Sequence, residues 1–150
     1  MTNNKLSKGI TGIAGEYYAA AELSRRGFMA SITLRNNEGV DILALDPNGL
    51  KTFAIQVKTI QNGNKKWPLN KKYEREKRKN LYYIFVMLKS EFERPEFYIV
   101  PGDELAENIK NNHQTWLNAP GRNGQPHKDN DIRIFRDNVD FYKEKWELLQ

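Results

Sequence analysis

The sequence predicts a single α/β domain built on one mixed β-sheet flanked by helices. Three observations carry that expectation. The chain has 150 residues, 39% of them hydrophobic and 11% aromatic, which is enough for one real core and too short for two. A helical stripe opens the chain and several short apolar runs bounded by turn residues follow it. Residues 81–88, L-Y-Y-I-F-V-M-L, are apolar on both faces between charged flanks, the pattern of a strand buried inside a sheet.

In order, residues 1–8 are polar and expected to be flexible, which leaves 9–150 as the domain. Residues 9–28 read as a helix with Ile10, Ile13, Ala14, Tyr17, Ala20, Ala21 and Ser24 on its buried stripe, stopped at Arg25-Arg26-Gly27. Glu16 falls at the edge of that stripe, either solvated or pointing along the sheet into a cleft. Residues 28–34 read as a strand. Residues 40–59 read as a β-hairpin whose reversal is Asp46-Pro47-Asn48-Gly49, since Pro presets φ, Asp and Asn bond locally and Gly takes positive φ. Residues 71–79 have a weak helical reading. Residues 96–101 read as a strand, Gly102 to Leu117 as a helix capped by Asp103, 118–130 as a loop, 131–135 as a short strand and 138–149 as a closing amphipathic helix. Trp116 and Trp146 are expected in the core, and His113 and His127 at the surface.

The hairpin concentrates polar side chains beside an apolar strand. Phe53, Ile55 and Val57 share one face and Ala54, Gln56 and Lys58 the other, which sets Gln56 and Lys58 roughly 6.7 Å apart along the strand. Asp41 opens the first strand. An even-numbered loop puts it on the Gln56/Lys58 face, an odd one on the opposite face unless a bulge restores the phase. Three such groups invite a chemical reading; ordinary half-exposed strand residues are the alternative.

The net charge is +5, which favours polyanionic partners, and it is concentrated. Residues 65–79 hold eight Lys or Arg (Lys65, Lys66, Lys71, Lys72, Arg75, Lys77, Arg78, Lys79) against Glu74 and Glu76, so the rest of the chain is nearly neutral. This segment is a natural contact for a phosphate backbone, with Trp67 and Tyr73 available to stack on unpaired bases. Alternatively it is a solvated excursion with Trp67 folded back onto the core. Cysteine is absent, so neither a disulfide nor a thiolate zinc site exists, and the longest apolar run is eight residues. A cytoplasmic protein is expected. There is no phosphate-binding Gly-rich loop and no Ser/His/Asp arrangement.

Gly15-Glu16, the run L-S-R-R-G-F at 23–28, Gly39-Val40-Asp41-Ile42-Leu43 and Ile55-Gln56-Val57-Lys58 together resemble the PD-(D/E)XK nuclease superfamily over residues 9–101. The likeness is to its Holliday-junction-resolvase-like members and to methylation-dependent restriction enzymes that carry Gln at the second acidic position. The resemblance implies a restriction-endonuclease-like fold and Mg²⁺-dependent DNA hydrolysis, with Mn²⁺ as a substitute. It implies that Asp41 is the central metal ligand, that Gln56 binds through its amide oxygen and that the Val57 carbonyl completes the shell. Lys58 would activate water or stabilise the phosphate, and Glu16 would be an accessory acid. An oxygen-bound Mg²⁺ and a neighbouring lysine suit phosphodiester cleavage on chemical grounds, while an amide in place of a carboxylate weakens the cation's grip. So small a nuclease is expected to work as a homodimer. Two other readings stay open: a nucleic-acid-binding module that has lost cleavage at Gln56, and a protein-interaction component of a defence system.

Overall fold

The structure is a computed structural model that describes residues 5–34, 39–61 and 63–150. Two helices, α1 (Lys8–Arg25) and α2 (Gly102–Asn118), flank a mixed five-stranded sheet. Its strands are β1 (Met29–Ile32), β2 (Ile42–Leu45), β3 (Thr52–Gln61), β5 (Leu81–Leu88) and β6 (Glu96–Pro101), hydrogen-bonded in that order. Only β3 and β5 run parallel; the other pairs are antiparallel. The chain between the parallel strands forms β4 (Lys66–Asn70), which pairs with β7 (Ile132–Arg136) in a separate two-stranded ribbon, and then a single 3-10 turn at Lys71–Glu74.

Strand β5 shows why its sequence is apolar throughout. Ile84, Val86 and Leu88 enter the core under α1, whereas Leu81, Tyr83, Phe85 and Met87 enter a second core under β4, β7 and α2. A strand covered on both faces has no position for a polar side chain. The hairpin of β2 and β3 turns as expected: Gly49 N donates to Asp46 O at 2.9 Å, Gly49 has φ +70°, and Asp46 Oδ1 accepts from the N–H groups of Leu50 and Lys51.

The structure corrects several expectations. The buried face of α1 is Thr11, Gly15, Ala19, Glu22 and Leu23, while Ile10 and Tyr17 are 53% and 66% exposed. The helix lies close on β3 through its smallest residues: a Cβ at Gly15 would land on Thr59 Oγ1 and within 2.9 Å of Thr59 Cβ and Cγ2. Glu22 is tolerated in this contact because Arg94 bonds it at 3.1 Å and Arg26 at 2.6 Å; the Arg94 hydrogen bond leads in holding its carboxyl below the ordinary range. Residues 71–79 form only the 3-10 turn, not a longer helix. Helix α2 starts at Gly102 with Pro101 at its cap and no side-chain cap bond, so Asp103 lies in the first turn.

The closing segment is not a helix either. It runs beside β6 by irregular backbone bonds, Tyr142 O accepting from Ile99 N and Phe97 O from Glu144 N, then ends in a 3-10 turn at Trp146–Leu148. In this position it covers the sheet's last edge. Trp146 is buried on Phe97 under the Arg26 guanidinium, 4.2 Å from its ring. Trp116 is at the surface instead, stacked on His127 at 4.1 Å, and His113 and His127 are half-buried in the contact between α2 and the following loop. The expected flexible stretch 1–8 falls partly on residues 1–4, outside the described residues. Beyond them, Leu6 exchanges two 3.0 Å hydrogen bonds with the Gln61 side chain and Ser7 caps α1.

Gly15→Ala is expected to cost about 2 kcal/mol, since neither helix nor strand backbone can give way cheaply. Gly12→Ala, whose Cβ meets nothing within 4 Å, is expected to be neutral or to gain up to about 1 kcal/mol from helix propensity. Urea unfolding of the pair checks both. A second expectation concerns Glu96, whose carboxylate takes hydrogen bonds from Lys89, Tyr98 and Lys143. Burial pushes its carboxyl up, but those three bonds outweigh burial and bring it from 4.5 to about 2. The stabilisation is therefore full above pH 4.5 and lost as pH falls through about 2. Glu96→Gln is expected to lose about 2 kcal/mol at pH 7 and converge on the wild type over that acid window, as read by pH-dependent denaturation.

Candidate functional site

The site is built on the exposed end of the hairpin. Leu45 pairs with Thr52 across a six-residue loop, and Ile42 pairs with Ile55. The even loop carries the register on so that Asp41 falls level with Gln56. Here β2 has ended, and Val57 N–H would lack a partner. The Asp41 side chain supplies it: Oδ2 accepts from Val57 N at 2.7 Å, while Asp41 N donates to Ile55 O at 2.8 Å. Thr33 holds the same stretch, its N–H on Asp41 O and its hydroxyl on Val40 O.

Asp41 is half-buried, and burial raises its carboxyl above the usual value against the opposing pull of the Val57 hydrogen bond and the Lys58 charge. It opens on a cavity of about 320 Å³ that Glu16, Gly12 and Lys8 line from α1. The contact of Gly15 with Thr59 is what brings Glu16 there. The two acids thus share one cavity.

The residues on the other side of β3 form a different cluster. Gln56 is 6% exposed and donates from Nε2 to the Tyr73 hydroxyl at 3.0 Å. Lys58 Nζ donates to the same hydroxyl at 3.1 Å and lies 5.0 Å from the Tyr73 ring centre. Gln56 Oε1 is buried and accepts no hydrogen bond from any described residue. A buried amide oxygen left so is costly, and such an atom is a natural ligand for a hard cation. Lys58 and Tyr73 line a second groove, about 440 Å³, with Lys72, Leu69 and Ile132.

The structure therefore brings Asp41 and Glu16 together and Gln56 and Lys58 together, with Asp41 and Lys58 in electrostatic reach of one another. Among the described residues no group of three or more His, Asp or Glu could hold a metal ion by itself. The side-chain oxygens at this end of β3 are the Asp41 carboxylate, on the cavity beside α1, and the Gln56 amide oxygen, buried beside Tyr73.

The basic segment is sorted by the fold. Trp67 is 1% exposed, its ring packed on Phe85, Tyr98 and Phe135, and it cannot stack on a base. Tyr73, 7% exposed, is likewise removed from base stacking. Lys65 is bridged to Asp140 at 2.9 Å, Lys71 to Asp131 at 2.7 Å and Lys77 to Glu107 at 3.1 Å. Lys66, Lys72, Arg75 and Arg78 are exposed. Two of them flank the site: Lys72 Nζ lies 5.3 Å from the Tyr73 ring, and an Arg78 guanidinium nitrogen 3.4 Å from where a Gly39 Cβ would stand. Tyr73, expected to be open for base stacking, is instead buried beside Gln56 and Lys58. The alternation of Lys66-Trp67-Pro68-Leu69-Asn70, exposed and buried in turn, was the available signal for a strand leading it inward.

Asp41→Asn keeps an oxygen for Val57 N–H and removes a desolvated charge. In EDTA at pH 7 it is expected to unfold at a higher temperature than the wild type, because burial already disfavours the charged carboxylate. Thermal unfolding followed by circular dichroism measures this.

A scan against protein-family models finds no match, and a search of curated proteins finds none either. Among solved structures, the chain is similar to a bacterial homing endonuclease, with a TM-score of 0.55 and 15% sequence identity. The alignment covers 97% of this chain and 92% of that one, so the likeness in fold extends through the C-terminal third and over almost the whole length of both.

Proposed function

We propose that this protein is a metal-dependent nuclease of the PD-(D/E)XK superfamily that hydrolyses DNA phosphodiester bonds. The observation that carries the reading is the set of groups at the open end of the hairpin. Asp41 lies on a cavity with Glu16 and in reach of the Lys58 charge, and a buried Gln56 oxygen without a partner stands at the same level of the strand. The endonuclease-like fold supports it. Asp41, the Gln56 amide oxygen and the Val57 carbonyl would hold Mg²⁺ or Mn²⁺, which supplies charge neutralisation at the phosphate and a more acidic bound water. Asp41 contributes the negative charge of this set. Lys58, anchored by Tyr73, would face its ammonium to the charge that builds on the phosphate or orient the attacking water by donating to it. Glu16 adds a second carboxylate to the Asp41 cavity. Lys66, Lys72, Arg75 and Arg78 would follow the DNA backbone, giving grip without sequence information. A homodimer would offer one site to each strand of a duplex.

One observation favours a second reading, a nucleic-acid-binding module without cleavage: no group of three acids or histidines lies together among the described residues. Cleavage of linear duplex, single-stranded and four-way-junction DNA with Mg²⁺ or Mn²⁺ separates the two. The expected result is metal-dependent cutting that falls at least a hundredfold, about 3 kcal/mol of barrier, in both Asp41→Ala and Lys58→Ala. Salt-sensitive binding with no cutting under either metal establishes the binding module instead.

A further inference from the structure

We propose that the groove beside Lys58 is a subsite for one nucleotide of the substrate, with its phosphate on Lys58 and Lys72 and its nucleoside on the wall of Leu69 and Ile132. This deepens the nuclease reading, from which it takes the class of ligand.

The groove measures about 440 Å³, a size that suits a small ligand of this kind. Its two halves come from different elements and differ in chemistry. Strand β3 and the 3-10 turn bring Lys58, Lys72 and the Tyr73 hydroxyl, whereas the ribbon brings Pro68 and Leu69 from β4 and Ile132 from β7. A nucleotide has the same division, an anionic phosphate at one end and a flat, weakly polar nucleoside at the other.

The fold alone accounts for neither half. Lys58 Nζ lies 5.0 Å from the Tyr73 ring centre and donates to its hydroxyl at 3.1 Å, and Lys72 Nζ stands 5.3 Å from the same centre. Among the described residues neither ammonium has a carboxylate at ion-pair distance, whereas Lys65, Lys71 and Lys77 each have one. Two cations held against one ring repel each other, and an anion in the groove removes that repulsion. Asp131, the acid on the wall, is tied to Lys71 at 2.7 Å, so its charge is offset. On the apolar half, Ile132 is 56% exposed. Its open face adds nothing to the core, but a nucleoside laid on it would shed water from both.

The walls are fixed before any ligand arrives. Lys71 N donates to Asp131 O at 2.9 Å, an Arg133–Glu74 ion pair ties the turn to β7, and the Tyr73 ring packs edge-on against Tyr83. A preformed groove keeps the ordering cost of binding low.

The test is titration calorimetry on the full chain in EDTA, with thymidine 5′-monophosphate, thymidine and inorganic phosphate as the probes. Wild type is compared with Lys72→Gln, Ile132→Thr and, as a matched charge change at the far end of the hairpin, Lys51→Gln. The monophosphate is expected to bind the wild type at least about tenfold more tightly than thymidine or phosphate alone. Lys72→Gln is expected to weaken it about tenfold, through loss of a charge-assisted hydrogen bond, and Lys51→Gln to leave it unchanged. Ile132→Thr is expected to weaken the monophosphate about threefold and leave phosphate as it was, a split that general loosening of the fold does not produce. Phosphate bound as tightly as the monophosphate, or an Ile132→Thr variant that binds the monophosphate like the wild type, overturns the proposal. No binding of any probe, or equal losses in Lys72→Gln and Lys51→Gln, overturns it too. Because no metal is present, the outcome does not depend on cleavage. DNA cutting without monophosphate binding leaves the nuclease reading standing alone; monophosphate binding without cutting under either metal keeps the groove and removes the nuclease.

Discussion

The close approach of α1 to β3 is the constraint on which the rest of the molecule depends. A helix normally stands off a sheet by the length of its side chains. Here Gly15 meets Thr59 directly, and the flanking positions Thr11 and Ala19 are small, so the helix sits low over the strand that carries the candidate site. The contact fixes both the height and the rotation of α1. Glu16 follows Gly15 by one residue and is turned about 100° from it around the helix axis, which brings it to the Asp41 cavity. The same contact forces the larger residues Ile10 and Tyr17 outward and leaves Glu22 buried at the far end, where its arginines compensate the desolvation. Packing density and site geometry are set here by a single glycine.

A second constraint is the polar cluster at the edge of the other core, where Lys58 and Tyr73 line a groove. Gln56, Lys58 and Tyr73 sit between aromatic side chains, with Tyr83 and Phe85 beyond them. Polar groups in such surroundings are kept only if they are satisfied or if they do something. Tyr73 satisfies the two donors it faces, and the amide oxygen is left over. An apolar trio would stabilise this face better. A sequence that retains instead a half-satisfied cluster, at the end of the strand nearest Asp41, departs from local optimisation in the way that functional sites do.

How much of this was legible in the sequence follows the range of the interactions involved. The turn at Asp46–Gly49 and the buried strand β5 were readable because each is written in consecutive residues, as turn chemistry in one and an unbroken apolar run in the other. The facing of Gln56 and Lys58 followed from strand alternation alone. That of Asp41 did not follow from the parity of the loop: the loop is even, but β2 ends at Ile42 and the Asp41 carboxylate turns to Val57 N–H and the cavity beside α1. The stripe of α1 was misread because large apolar residues outweigh small ones on any helical wheel, whereas the real interface selects for smallness. The C-terminal segment has helical spacing, but its backbone bonds go to β6, a partner some forty residues away that no local pattern announces. Trp67 and Tyr73 were drawn toward a DNA-binding role by the charges around them, although the charges face water and the rings face inward.

That division of the basic segment also bears on how a nucleic acid would meet it. Three of its lysines already have carboxylate partners, at Asp140, Asp131 and Glu107, and bridges of this exposed kind contribute little to stability. A phosphate can therefore displace the acids at small cost, so the bridged lysines are not lost to binding. The residues beside the site differ. Lys72 stands over the Tyr73 ring, beside Gln56 and Lys58, and Arg78 stands beside Gly39, two residues before Asp41. The exposed cations and the bridged ones thus alternate along the segment, and both kinds stay open to an anion.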